Sequence, residues 1–234
     1  MKRIYFIVNL LLVLFCMQVQ GQKDDNVSFN IGADLVSSYV WRGAYQTSVA
    51  IQPSMGFKMG GFSIAAWGSV PVSGTAKEVD FTVGYEAGGF SAAITDYWWA
   101  GEGAYKYFKY SAHQTKHHFE GSLNYSLPIE KFPLSLSWNT MFAGEDYYKA
   151  DGERAYSTYI SAAYLFSIKG IGLKAEVGST PWEGMYADGF SVVSIGLKAS
   201  KEIRVTDGFS LPVFAQILAN PKEQDIFFIF GFSL

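Results

Sequence analysis

The stretch Val27–Gly43, VSFNIGADLVSSYVWRG, places apolar and polar side chains at alternate positions. Successive side chains of a β-strand point to opposite faces, so this pattern predicts a strand with one apolar face. The stretch is longer than the usual strand of a soluble protein. It suits a strand that crosses a membrane obliquely, which takes about 9–11 residues. We expect Tyr39 and Trp41 at its far end, level with the outer membrane interface.

The same alternation recurs along the chain and predicts about twelve strands in all. The further segments are residues 50–59, 62–67, 79–86, 90–95, 118–125, 134–139, 156–166, 173–178, 193–199, 212–217 and 228–234. Connections near residues 60, 88, 130, 170 and 204 are short or modest, and those near 45, 74, 106, 149, 184 and 222 are mostly longer. An even strand number with turns at one end and loops at the other is typical of bacterial outer-membrane barrels.

The predicted fold is therefore all-β: a transmembrane antiparallel up-and-down β-barrel, closed so that no strand edge is left unpaired. Aromatic residues make up 17% of the chain, which favours a membrane barrel over a secreted β-sandwich. The sandwich is the alternative and would have fewer aromatic residues and shorter strands.

The N-terminus predicts a secretory signal peptide, residues 1–21, ahead of a single barrel domain, residues 22–234. Lys2 and Arg3 precede an apolar run, and Val19 and Gly21 fit a cleavage site before Gln22. Removal of this segment takes the net charge from −3 to −5 and takes away the only cysteine, Cys16. The predicted mature protein therefore forms no internal disulfide, and its mild acidity gives no indication of nucleic-acid binding. The expected location is the bacterial outer membrane, with lipid as its surroundings.

One part of the first strand resembles a known family. Ser37, Tyr39, Arg42 and Gly43 stand in the order S-x-Y-x-x-R-G, which resembles the opening strand of a porin family of otherwise uncharacterised outer-membrane β-barrels. Residues 51–53 (IQP) and 66–69 (AWGS) are also similar to that family, and the whole sequence looks like outer-membrane proteins of Bacteroidota. The resemblance covers roughly residues 30–70 and implies a barrel that transports solutes, but it names no solute.

Charged residues on the polar side of the predicted strands are candidates for the lining of a pore. They are Asp34, Arg42, Lys58, Asp80, Glu86, Glu120, Lys174, Glu176 and Lys198. They could line an aqueous channel or fill the barrel with ion pairs, because about twelve strands lie between filled and open barrels. Arg42 is expected near the mouth, paired with an acid of a neighbouring strand such as Glu78 or Asp80. The near balance of signs predicts no strong anion or cation selectivity.

The segment from Tyr97 to Lys116 is rich in aromatic residues and is predicted to be a loop. Within it, Tyr105, Tyr107 and Tyr110 are candidates for a constriction that folds into the barrel mouth. Three other aromatic residues are predicted to lie in the membrane-interface girdle: Trp98, Trp99 and Trp182.

No motif predicts a metal site, a cofactor or a catalytic centre. His113, His117 and His118 lie close in sequence, but a zinc site needs three or four ligands fixed in space. His118 and Ser122 stand about 13 Å apart along a strand, too far for a catalytic pair. We therefore predict a porin or narrow channel for small solutes. A structural or surface-interaction barrel without a pore and a lipid-modifying enzyme are the alternatives, and the oligomeric state stays open.

Overall fold

The computed structural model describes residues 27–74, 77–100, 106–111, 114–129 and 132–234. The predicted signal peptide, Tyr105 and His113 lie outside the described residues. The strands are β1 (Val27–Val36), β2 (Tyr39–Trp41), β3 (Ala44–Thr47), β4 (Ala50–Met59), β5 (Phe62–Pro71), β6 (Lys77–Ala87), β7 (Phe90–Ala100), β8 (His117–Ser126), β9 (Leu134–Gly144), β10 (Thr158–Ile168), β11 (Ile171–Thr180), β12 (Ser191–Thr206), β13 (Phe209–Asn220) and β14 (Asp225–Ser233).

Twelve of these strands, β1 and β4 to β14, form one closed antiparallel barrel. Each strand pairs with the next along the chain, and β14 pairs with β1 to close the sheet, with Leu35 opposite Phe232. The predicted up-and-down topology and strand number are confirmed. The two short strands, β2 and β3, pair only with each other and form a separate hairpin. No helix in the described part of the chain is long and apolar enough to cross a membrane.

The two ends of the barrel differ. The strand ends that are joined by residues 60–61, 88–89, 127–133, 169–170 and 207–208 lie at one end, which we call the turn end. The strand ends that are joined by residues 37–49, 72–76, 101–116, 145–157, 181–190 and 221–224 lie at the other, which we call the loop end. This is the alternation of short and long connections that the sequence predicts.

The outer face of the wall is apolar and exposed. Phe29 is 62% exposed, Ile31 71% and Phe228 69%, and each alternates with residues that face the lumen. Apolar surface in water costs about 25 cal/mol per Å². A continuous band of such side chains around a closed sheet fits a barrel surrounded by lipid.

The first strand is shorter than predicted, because β1 ends at Val36 and the chain then leaves the wall. Ser37 marks the departure: its backbone N–H donates to the carbonyl of Phe230 at 2.8 Å, and its hydroxyl accepts the Phe230 N–H at 3.0 Å. The alternation beyond Val36 belongs to β2, which is also extended. The prediction of one strand through Gly43 is therefore wrong after Val36.

Candidate functional site

The β2–β3 hairpin turns at Arg42 and Gly43, whose φ angles are +50° and +84°. Two positive φ angles in a two-residue loop match the right-handed twist of the flanking strands. Arginine takes such a φ uncommonly, so the surroundings must hold it there. A Cβ on Gly43 would lie 1.9 Å from the carbonyl oxygen of Val193, and the Asn220 amide donates to the Gly43 carbonyl at 3.1 Å. Only glycine fits this approach to the wall.

The hairpin lies inside the barrel, and its two strands contact wall strands that are three positions apart around it. The Tyr39 ring meets Trp67 of β5, with centroids 5.4 Å apart, and Tyr45 stacks on Phe227 of β14 at 6.3 Å. Trp41 contacts a further group of rings: Tyr97, Trp99 and Tyr186. The predicted positions of Tyr39 and Trp41 at the outer membrane interface are therefore wrong, because the inward turn of the chain takes both rings into the lumen.

Arg42, at the tip of the hairpin, forms a bidentate ion pair with Glu120 of β8. Nη1 donates to Oε2 at 2.5 Å and Nη2 donates to Oε1 at 2.8 Å. The side chain of Glu120 is fully buried and that of Arg42 is 12% exposed. Charge-assisted bonds in this fork geometry are the strongest that side chains make, and they are worth most where water is excluded.

Aromatic and hydroxyl groups complete the surroundings of this pair. Arg42 also donates to the Tyr186 hydroxyl at 2.6 Å, and Tyr97 donates to Glu120 at 3.0 Å. The guanidinium carbon lies 4.4 Å from the centroid of Trp41 and 4.8 Å from that of Tyr159, which is within cation–π range. Burial raises the pKa of Tyr186 above its ordinary value, so the phenol stays neutral beside the guanidinium.

The predicted partners of Arg42 are wrong, and strand register gives the reason. Glu120 is in register with Thr95, whereas Asp80 is in register with Tyr97, one inward row nearer the loop end. The hairpin is long enough to carry Arg42 past the row of Asp80. Glu78, nearer still to the loop end, accepts instead from Trp99 Nε1 at 2.7 Å.

The nine predicted lining residues all lie inside the barrel. Eight are on wall strands and alternate with outward apolar residues: Asp34, Lys58, Asp80, Glu86, Glu120, Lys174, Glu176 and Lys198. Arg42 is on the hairpin. Six of the nine form ion pairs: Arg42 with Glu120, Lys58 with Glu86, and Lys174 with Glu176.

Solvent exposure changes sharply along the lumen. Near the turn end the side chains of Lys58, Glu86 and Lys174 are 43%, 56% and 47% exposed. At the level of the hairpin tip, Glu120 has no exposure at all. The lumen is thus accessible to water from the turn end, and the hairpin occupies it toward the loop end.

A cavity of about 480 Å³ lies on the turn-end side of the hairpin tip. Trp41 and Arg42 form its hairpin side, and Lys174 and Glu176 contribute charge from β11. The other polar lining residues are neutral: Asn124, Ser135, Ser137, Asn139, Tyr159, Ser161, Ser194 and Gln216.

Residues 106–111, between β7 and β8, pack on the outside of the wall, against the prediction of a constriction. The Tyr107 ring contacts Trp98 and Phe81, with centroids 5.4 and 6.4 Å away, and both face outward. Tyr110 stacks on the outward His117 at 4.2 Å. Tyr107 and Tyr110 therefore do not constrict the mouth, and Tyr105 lies outside the described residues.

This placement has a physical cause in two polar residues of the outer face. His117 Nδ1 and Asp96 Oδ1 lie 2.6 Å apart, and His117 Nε2 lies 2.6 Å from the Tyr107 carbonyl oxygen. A polar pair on an otherwise apolar face must be covered and bonded. The loop does both, and it also leaves Trp98 only 7% exposed.

His118 and Ser122 do not form a catalytic pair. The His118 imidazole lies against the Trp99 ring, with centroids 4.0 Å apart, and the Ser122 hydroxyl donates to Glu120 at 3.3 Å. Among the described residues no group of three or more His, Cys, Asp and Glu side chains could hold a metal ion.

Comparison of the chain with protein-family models and with curated proteins found no match. The resemblance of residues 37–43 to a porin family therefore remains a prediction. Of that motif, the structure gives Arg42 and Gly43 a definite place, at the turn that carries the buried ion pair.

Proposed function

We propose that this protein is a β-barrel of the bacterial outer membrane that acts as a narrow, gated channel for small solutes. The observation that carries the proposal is a polar lumen accessible to water at the turn end and occupied by one hairpin toward the loop end. The hairpin is the gate, and the Arg42–Glu120 pair holds it closed.

The geometry of the pair suits a gate better than a permanent filling. Loss of one partner of a buried ion pair leaves the other charge uncompensated, at a cost of about 3–5 kcal/mol. A hairpin that swings toward the loop end would let water reach both charges, so opening exchanges the pair for hydration. The hairpin is joined to the wall strands by two short connections, residues 37–38 and residues 48–49. Neither connection belongs to a strand.

A barrel without a conducting pathway is the second candidate, and the close fit of Gly43 against Val193 favours it. On that account the hairpin is a fixed interior layer, and the ion pairs replace the apolar core that a soluble protein would have. The two candidates differ in whether a continuous polar path runs through the lumen once the hairpin is displaced. A gated channel has such a path, and a structural barrel does not.

Deletion of the hairpin separates them. Residues 39–47 are replaced by a short Gly/Ser linker, and the refolded barrel is compared with the intact chain in planar lipid bilayers. The channel predicts a steady open current from the deletion variant and brief, infrequent openings from the intact protein. A folded deletion variant that passes no current, with heat-modifiable gel mobility as the check on folding, would overturn the channel in favour of the structural barrel.

A further inference from the structure

We infer that the cavity beside the hairpin tip binds a neutral, hydroxyl-rich solute of about the size of a monosaccharide. This inference rests on the proposed function, because it names the class of solute for the same lumen. The cavity volume of about 480 Å³ lies within the range of about 300–1,000 Å³ that is usual for small-molecule sites.

The lining is built mainly from groups that both donate and accept hydrogen bonds. Ser137 and Ser161 hydroxyls lie 2.7 Å apart across β9 and β10, and the Asn139 amide donates to Ser137 at 3.2 Å. A serine hydroxyl has one donor and two acceptor sites, so each retains capacity for a ligand after these bonds. Sugar hydroxyls also both donate and accept hydrogen bonds. They can therefore extend this hydrogen-bonded network without leaving a polar group unpaired.

The charges of the cavity are already satisfied. Arg42 is engaged by Glu120, and Lys174 Nζ lies 2.5 Å from Glu176 Oε2. A charged solute would have to separate one of these pairs or remain unpaired in a partly desolvated site. This free-energy cost weakens the binding of anions and cations alike. A neutral solute binds without separating an ion pair and therefore avoids the cost.

One aromatic residue gives the site an apolar side. Trp41 lines the cavity at its hairpin end, whereas Tyr159, also in the lining, is only 4% exposed and faces Arg42. Sugar rings have C–H faces as well as hydroxyl edges, so an aromatic wall next to serine and amide groups matches both parts of the molecule.

Three probes with the same ring test the inference: glucose, glucuronate and glucosamine, which are neutral, anionic and, below neutral pH, cationic. Binding to the refolded barrel in detergent is read by tryptophan fluorescence and by saturation-transfer NMR of the sugar. We expect saturable binding of glucose, with binding of the two charged sugars weaker by about tenfold, the equivalent of one unpaired polar contact.

A pair of variants locates the site. Ser137→Ala together with Ser161→Ala should weaken glucose binding by about tenfold, since two hydrogen-bonding groups are lost. Ser63→Ala, an inward serine of β5 outside the cavity lining, should leave it unchanged. Absence of saturable glucose binding, equal binding of glucuronate, or equal effects of the two variants would overturn the inference.

The binding measurement requires no current, so its outcome is separable from that of the channel. Conductance without glucose binding would leave the channel standing and remove this solute class. Glucose binding in a barrel that passes no current would support the site and remove the channel.

Discussion

Arg42 and Glu120 are 78 positions apart in the sequence and form a bidentate ion pair in the interior of the barrel. One residue belongs to the hairpin and the other to the wall, so the pair is the main polar connection between them. The rest of the hairpin contacts the wall through aromatic rings, through the close approach of Gly43 and through the hydrogen bond from Asn220 to the Gly43 carbonyl. Whatever moves the hairpin must break this pair.

Gly43→Ala should displace the hairpin, because its Cβ would collide with the Val193 carbonyl and its φ of +84° is unfavourable for alanine. We expect cleavage by trypsin after Arg42 to become at least about tenfold faster, as a few kcal/mol of strain would require. Gly74→Ala is the control, since Gly74 also has a positive φ but has no atom within 4 Å of the added Cβ. Equal protection of Arg42 in both variants would show that the hairpin does not depend on this contact.

Tyr186→Phe removes a hydroxyl that accepts a bond from Arg42. A hydrogen bond to a charged group contributes about 1.5–3 kcal/mol, so the closed state should be weakened by roughly tenfold or more. Single-channel recordings should show more frequent openings at unchanged unit conductance. Tyr156→Phe, at a residue 52% exposed in another loop, is the matched control. A change in unit conductance instead would place Tyr186 in the open pathway.

Tyr110→Ala should release the β7–β8 loop from the outer wall without affecting the lumen. Its ring stacks on His117 on the outer face, so its loss should loosen residues 106–111 and speed tryptic cleavage after Lys109 and after Lys106, whose side chain is already exposed. The current through the barrel should stay as it is in the intact protein. An increase in current would mean that this loop obstructs the mouth, contrary to its contacts with outward residues.

Purified barrel should not release fatty acid from phospholipid vesicles, because His118 faces Trp99 and Ser122 is bonded to Glu120. The measurement is hydrolysis of labelled phospholipid by intact protein and by His118→Ala. Hydrolysis that disappears in the variant would favour the lipid-modifying enzyme over the channel.

The barrel itself could be predicted from the sequence, since a period-two pattern with apolar residues on one parity is what a lipid-facing wall requires. Parity also put eight of the nine charges inside the wall, because side-chain direction in a strand depends on position alone. The hairpin could not be separated from β1 in this way. Strand β2 continues the same alternation as β1. However, both faces of β2 lie inside the barrel, whereas a wall strand has one face toward lipid and one toward the lumen.

The aromatic residues of β7 show a second limit of the pattern. The prediction ended this strand at Thr95 and assigned the aromatic-rich segment from Tyr97 to Lys116 to a loop. The strand continues to Ala100. Tyr97 and Trp99 face inward to meet the hairpin, so the predicted girdle position of Trp99 is wrong, and Trp98 faces outward beneath Tyr107. The hairpin covers the inner face of β7 here, and Tyr107 covers the outer face. Both faces therefore carry aromatic residues, and the alternation of apolar and polar residues that the prediction depends on is lost.

A sequence signal for the hairpin does exist in Arg42-Gly43. Glycine at the second position of a two-residue turn is favoured where both φ angles are positive, and four residues of extended sequence follow it in β3. The buried partner Glu120 has no comparable signal, because the register across the six wall strands from β1 to β8 decides which acid faces the tip.

The most direct test of the gate is the open probability of Glu120→Gln in planar bilayers, beside Lys58→Gln as control. Glu120→Gln leaves Arg42 buried without its counter-charge, and Lys58→Gln removes a lumen charge whose ion pair with Glu86 is solvent-exposed. We expect an open probability at least about tenfold higher in Glu120→Gln, because loss of the counter-charge destabilises the closed state by a few kcal/mol, and no such increase in Lys58→Gln. Folded Glu120→Gln barrels that stay as closed as the intact protein would contradict the claim that this pair holds the gate.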